Sequence, residues 1–104
     1  MCGRFAVAIP KKFSSFLGVD LSSIASLQTP RYNVAPNQEI IALTEKDGSI
    51  ISQAYCWGFP PPDWMKGFDK HVINARSEGI DTKPMFRDAF RHRRCLVLAT
   101  GFYE

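Results

Sequence analysis

The spacing of apolar and polar positions changes period several times along the chain, and each change marks an element. Gly3–Ile9 (GRFAVAI) alternates and is apolar enough to predict a strand that begins almost at the first residue. Pro10 ends it and opens a helix over Lys11–Leu17, where Phe13, Phe16 and Leu17 share one helical face, and Gly18 stops that helix. Asp20–Leu27 predicts a second short helix capped by Asp20. Thr29–Gln38, carrying Pro30, Asn33, Pro36 and Asn37, reads as a loop. Glu39–Leu43 and Ser49–Tyr55 are β-like runs joined through Asp47-Gly48, a strong hairpin signal. Trp57–Trp64 (WGFPPPDW) is irregular, because Pro60, Pro61 and Pro62 remove three consecutive backbone donors. Val72-Ile73 predicts a short strand before Asn74. Pro84 opens a helix to about Arg91, with Met85, Phe86, Ala89 and Phe90 as its apolar side. Cys95–Ala99 reads as a buried strand leading into Gly101-Phe102-Tyr103-Glu104.

About five short strands, two or three short helices and a hairpin predict an α+β fold with a largely antiparallel sheet. With 104 residues, 45% of them hydrophobic and 22% charged, the chain has the make-up of a single folded domain and not of a disordered segment. It stops directly after a strand, which raises the expectation of a part of a longer domain. The longest apolar runs, Cys95–Ala99 and Ile40–Leu43, fall well short of the roughly 18 residues of a membrane span. No secretory-type start is present either, so the expectation is a cytoplasmic protein without membrane contact. Cys2, Cys56 and Cys95 are odd in number and widely spaced, forming neither a metal knuckle nor a disulfide framework. Cys56 and Cys95 are expected to serve packing.

Charge modifies this picture only at one end. The formal net charge is +3, and all of the excess falls in residues 83–104, where Lys83, Arg87, Arg91, Arg93 and Arg94 face only Asp88 and Glu104. Such a run attracts phosphate, and it is equally the ordinary solvated face of a helix.

Three features can carry chemistry. Removal of Met1 would leave Cys2 with both an α-amine and a thiol, and such groups keep a deprotonated fraction near neutral pH. That pair can condense with an aldehyde to a five-membered thiazolidine, or the thiolate can attack an ester or amide. An accidental second residue stands beside both readings. Asn74-Ala75-Arg76 follows a predicted strand, so a donor–acceptor amide and a planar cationic fork can be aimed from a rigid support. A turn asparagine with a surface arginine has the same sequence. Glu104 is either a partly buried acid behind an apolar strand or a solvated carboxylate. His71 and His92 lack the partners of a metal site, so neither a metal nor another cofactor is expected. Trp57, Phe59 and Trp64 among prolines make a rigid aromatic platform of the kind that packs in a core or stacks unpaired bases.

In series, Met1-Cys2-Gly3-Arg4-Phe5, Arg31-Tyr32-Asn33-Val34-Ala35-Pro36, Trp57-Gly58, Ile73-Asn74-Ala75-Arg76-Ser77-Glu78, Phe86-Arg87 and Gly101-Phe102-Tyr103-Glu104 resemble the SOS-response-associated peptidase (SRAP) family, the abasic-site processing proteins. The resemblance spans essentially the whole chain. It implies an α+β fold with a curved, barrel-like, mostly antiparallel sheet around a DNA cleft. It also implies capture of abasic sites in single-stranded DNA, with Cys2 ending as a thiazolidine crosslink. Asn74 would match the family's active-site asparagine and Glu104 the acid that assists ring opening. Arg4 and Arg76 would match phosphate contacts, and Asn33 falls within a DNA-binding motif. Pro36, Trp64 and Met85 would match the wedge that separates paired from unpaired DNA. Members are about twice this length, and their second half supplies a histidine that neither His71 nor His92 replaces. Residues 1–104 are therefore expected to form the N-terminal part of an incomplete domain that pairs with itself or with a complementing chain. The competing expectations are a cysteine-type peptidase acting on its own Met1 and a truncated, non-catalytic single-strand binder.

Overall fold

The hairpin predicted at Asp47-Gly48 is the longest regular feature of the computed structural model, which describes residues 2–104 except 11, 66, 68 and 69. Strand β3 (Glu39–Lys46) turns back into β4 (Ser49–Cys56) in an unbroken antiparallel register from Lys46↔Ser49 to Glu39↔Cys56. Both turn residues have positive φ, 52° at Asp47 and 78° at Gly48, as a two-residue turn matching the strand twist requires. Strand β1 (Arg4–Val7) lies between β2 (Arg31–Val34) and β6 (Gly101–Tyr103), and β3 lies between β4 and β5 (Leu96–Val97). All described pairings are antiparallel. The helices are α1 (Phe13–Leu17), a 3-10 helix Ser22–Leu27 kinked at Ile24, and α2 (Arg87–His92). This is the small α+β architecture that the pattern predicts. Among the described residues its two three-stranded sheets do not close into a barrel.

The uninterrupted apolar run in β3 has a structural cause. Ile40 joins Phe5, Val7 and Val34 in one buried cluster, while Ile41 and Leu43 join Val19, Leu21 and Ile24 in another. Successive side chains of a strand point to opposite faces, so a strand with a core on each side must be apolar at consecutive positions. Ser52, the one polar side chain among the described buried residues, donates its hydroxyl to Asp20 O at 2.7 Å and ties β4 to the 3-10 segment.

The chain divides into two units, one of Met1–Trp57 with Cys95–Glu104 and one of Gly58–Arg94. Both sheets belong to the first. In the second, a single bridge pairs Phe59 with Val72 through N–H···O bonds of 2.8 and 3.0 Å, which is what remains of the strand expected at Val72-Ile73. α2 starts at Arg87, because Pro84 has no N–H and Thr82–Phe86 form turns.

Several expectations are corrected. Arg31–Val34 is a strand and not a loop, since its two prolines flank it without entering the ladder. Cys95–Ala99 contains only a two-residue strand, and Leu96 is 71% exposed. Phe16 is 84% exposed, so a helix of five residues buries only part of its apolar face. Cys56 and Cys95 are exposed thiols and pack in no core. Lys11, where the first helix was expected to begin, and Met1 lie outside the described residues.

Candidate functional site

Two groups of candidate residues come together, one in each unit. In the first, β1 carries the N-terminal candidates. Its register pairs Arg4 with Tyr103, Phe5 with Phe102 and Ala6 with Gly101. Glu104 follows Tyr103, and Cys2-Gly3 precede Arg4, so Glu104 and Cys2 lie at the same end of the β1–β6 ladder. The ladder is held at its other end by Thr100, which donates its N–H to Ala6 O and accepts the Ala8 N–H at its hydroxyl, at 2.8 and 2.7 Å. Tyr103 then donates its hydroxyl to Tyr32 O at 2.7 Å, linking β6 to β2 across β1. Sequence reasoning missed both latches. Their only signal is a hydroxyl residue at each end of β6.

Cys2 is half-buried, and its Sγ donates to Arg4 O at 3.5 Å. Arg4 is exposed and donates through Nη1 to Asn33 Oδ1 at 3.0 Å, so the two candidates form one polar group across β1 and β2. That bond uses one of the five guanidinium N–H donors and leaves most of the fork toward solvent. Glu104 is exposed, which replaces the partly buried acid with a solvated carboxylate. Pro36 lies in a tight turn closed by Gln38 N–H to Ala35 O at 3.3 Å, with Asn37 at φ 67°. The turn is braced by Arg31, which donates to Glu39 O and to Gln38 Oε1 at 2.6 and 3.1 Å. Trp57 joins it through Asn37 N–H to Trp57 O at 2.8 Å and stacks obliquely on Phe5, with centroids 5.2 Å apart.

In the second unit, Asn74 is half-buried and lines an open cavity of about 270 Å³ with Phe59, Phe86 and Phe90. Phe59 and Phe86 meet at 5.5 Å, and Arg94 lies 5.7 Å over Phe90. Arg76, two residues on, is exposed. Trp64 and Met85 line one wider groove beside Pro60, Pro61 and Pro62. These two wedge candidates are therefore neighbours, while Pro36 stands in the other unit. Among the described residues no group of three or more His, Cys, Asp or Glu side chains gathers as metal ligands do. No helix among them is long and apolar enough to cross a membrane.

A family model described as "SOS response associated peptidase (SRAP)" matches residues 1–104. The chain belongs to the SRAP family. Similar proteins include the abasic site processing protein YedK of Escherichia coli, 34% identical over 108 residues, and YoaM of Bacillus subtilis, 35% identical over 112. The abasic site processing protein YoqW of Bacillus subtilis is 34% identical over 112 residues. Each match takes in 100% of this chain and 47% of the relative. The SRAP chain thus spans about half the length of the curated relatives it matches.

Proposed function

We propose that this SRAP chain captures abasic sites in single-stranded DNA by forming a thiazolidine with Cys2 after Met1 is removed. The supporting observation is the common position of Cys2 and Glu104 at one end of the β1–β6 ladder, in a chain whose relatives are named abasic site processing proteins.

An abasic sugar is electrophilic only in its ring-opened aldehyde form. In this reading Glu104 passes a proton to the ring oxygen and speeds that opening. The Cys2 amine adds to the aldehyde carbon, the carbinolamine loses water to an imine, and the thiol sulfur closes onto the same carbon as its proton moves to nitrogen. The net change is one molecule of water released. Asn74 orients the reacting end through its amide. Arg4 with Asn33, and Arg76, contact phosphates, which positions a strand without reading its sequence. Pro36, Trp64 and Met85 act as the wedge, an inexpensive task where a missing base has already removed stacking. Residues 1–104 are the N-terminal part of a longer barrel-like domain in this proposal, working in the cytoplasm where the DNA is.

The test is a denaturing intact-mass spectrum before and after mixing with a single-stranded oligonucleotide bearing one abasic site. The expected product lacks Met1 and is heavier by the oligonucleotide minus water. Cys2→Ser should yield none of it, and undamaged oligonucleotide should yield none with the parent. Asn74→Ala and Glu104→Gln should slow its appearance while DNA affinity stays within about twofold, a change of only a few tenths of a kcal/mol. A protein that lacks Met1 and still leaves the abasic strand unmodified would sink the proposal.

A further inference from the structure

Strand β6 is three residues long, all of them exposed, and among the described residues it pairs only with β1. Such an edge strand opens from its ends at little cost. At one end Thr100 ties it to Ala6 and Ala8 by bonds of 2.8 and 2.7 Å. At the other end, where Glu104 follows, the fastening is the Tyr103 side chain. Arg4 and Tyr103 are register partners, so their side chains leave the sheet on the same face. From there the Tyr103 side chain reaches across β1 toward β2, two strand spacings or roughly 9–10 Å away. Its hydroxyl donates to Tyr32 O at 2.7 Å.

That bond closes a path between the two candidate reactive groups. Glu104 is joined to Tyr103 by the chain, and Tyr103 bonds to Tyr32. Asn33, the next residue, accepts from Arg4 Nη1 at 3.0 Å, and Arg4 O accepts from Cys2 Sγ at 3.5 Å. Three hydrogen bonds and two peptide links thus connect the acid to the thiol. Of the three bonds, the Tyr103 bond is the one that starts on β6.

Packing does not account for this tyrosine. Tyr103 is 53% exposed, so its ring adds little apolar burial, and a neutral hydrogen bond open to water contributes little net stability. What the hydroxyl supplies is placement.

We propose that Tyr103 is a positioning residue for the Cys2 reaction. Its bond to Tyr32 O holds Glu104 at the Cys2 end of the β1–β6 ladder, where a proton can pass to the ring oxygen of the abasic sugar. Tyr103 itself touches no reacting atom. The inference rests on the proposed roles of Cys2 and Glu104 and adds the device that keeps the two in register.

The experiment follows crosslink formation by denaturing intact mass, using the chain lacking Met1 and saturating single-stranded oligonucleotide. Two oligonucleotides are compared, one with an abasic site and one with an acyclic aldehyde that has no ring to open. Tyr103→Phe should slow capture of the abasic site by about tenfold, inside the range up to ~10²-fold that a small misplacement of a reacting group costs. It should capture the acyclic aldehyde at the parent rate, because ring opening is the step Glu104 assists. Tyr55→Phe, which removes a comparable exposed bond of 2.7 Å to Gln53 Oε1, should match the parent on both. With Glu104→Gln already in place, Tyr103→Phe should change the abasic rate by no more than about twofold, since no acid remains to be positioned. Equal abasic rates for Tyr103→Phe and the parent would overturn the inference while leaving the Cys2 reaction intact. Equal slowing on both oligonucleotides would overturn it too, by showing general damage to the ladder. A parent that forms no covalent product with either oligonucleotide would end the crosslinking reading and this inference with it.

Discussion

At Asp20 a carboxylate oxygen accepts the Ser22 N–H at 2.8 Å, at the start of the 3-10 helix. Hydrogen bonds from the Ser22 backbone and then from its side chain hold the Asp20 carboxyl below its ordinary value of 3.8. A group whose value is depressed on folding contributes stability that is fully present above the unfolded value and lost as pH falls through the folded one. Chemical unfolding of the parent should therefore show a stability that declines below about pH 4, and Asp20→Ala should flatten that decline. An acid limb of unchanged steepness in Asp20→Ala would remove this role. The sequence predicts Asp20 as the cap of this helix, and the structure corrects that: the helix begins at Ser22 with Leu21 as its N-cap, so the Asp20 carboxylate closes a local turn onto Ser22 N–H from one residue further out. The Arg4–Asn33 bond was not legible in the sequence. It depends on Asn33 lying in a strand beside β1, and its neighbouring prolines hid that strand.

Among the described glycines, Gly58 has the least room for a side chain. Gly58 has φ 142°, and a Cβ there would meet His71 Cβ and Nδ1 at 3.0 Å. The contact is with the root of a side chain held by the Phe59–Val72 bridge, so the neighbour has little freedom to withdraw. Gly58→Ala should cost about 1–3 kcal/mol, the range for a residue forced into sparsely populated backbone space. Gly48→Asn, at φ 78° with nothing within 4 Å, should cost well under that, because Asn tolerates the left-handed region. Urea unfolding of the two variants checks the contrast, and equal losses would contradict it. Sequence reasoning found the Trp57–Trp64 stretch irregular from its three prolines, and it found the β3–β4 hairpin from Asp-Gly between two β-like runs. Both signals are local. Reading β2 needed its partner β1, and the exposure of β5 needed knowledge of what covers it, neither of which resides in a window of seven residues.

Across the whole molecule, the unit of Met1–Trp57 with Cys95–Glu104 carries exposed apolar side chains in β5 and β6. Leu96 and Phe102 are 71% and 64% exposed, and Val97 and Tyr103 stand beside them in β5 and β6. The apolar run Cys95–Ala99, which contains β5, was expected to be a buried strand. At neutral pH the net charge of +3 opposes association of such surfaces, and this opposition vanishes near the sequence pI of about 8.9. Sedimentation at low ionic strength should thus shift toward larger species as pH rises from 7 to 8.9. Leu96→Thr with Phe102→Thr should suppress the shift, since Thr keeps strand propensity while removing apolar area. Charge alone would give the same pH trend in the double variant, and that outcome would clear β5 and β6 of any part in association. Removal of the trend by the variant would instead assign the contact to the exposed apolar side chains of β5 and β6.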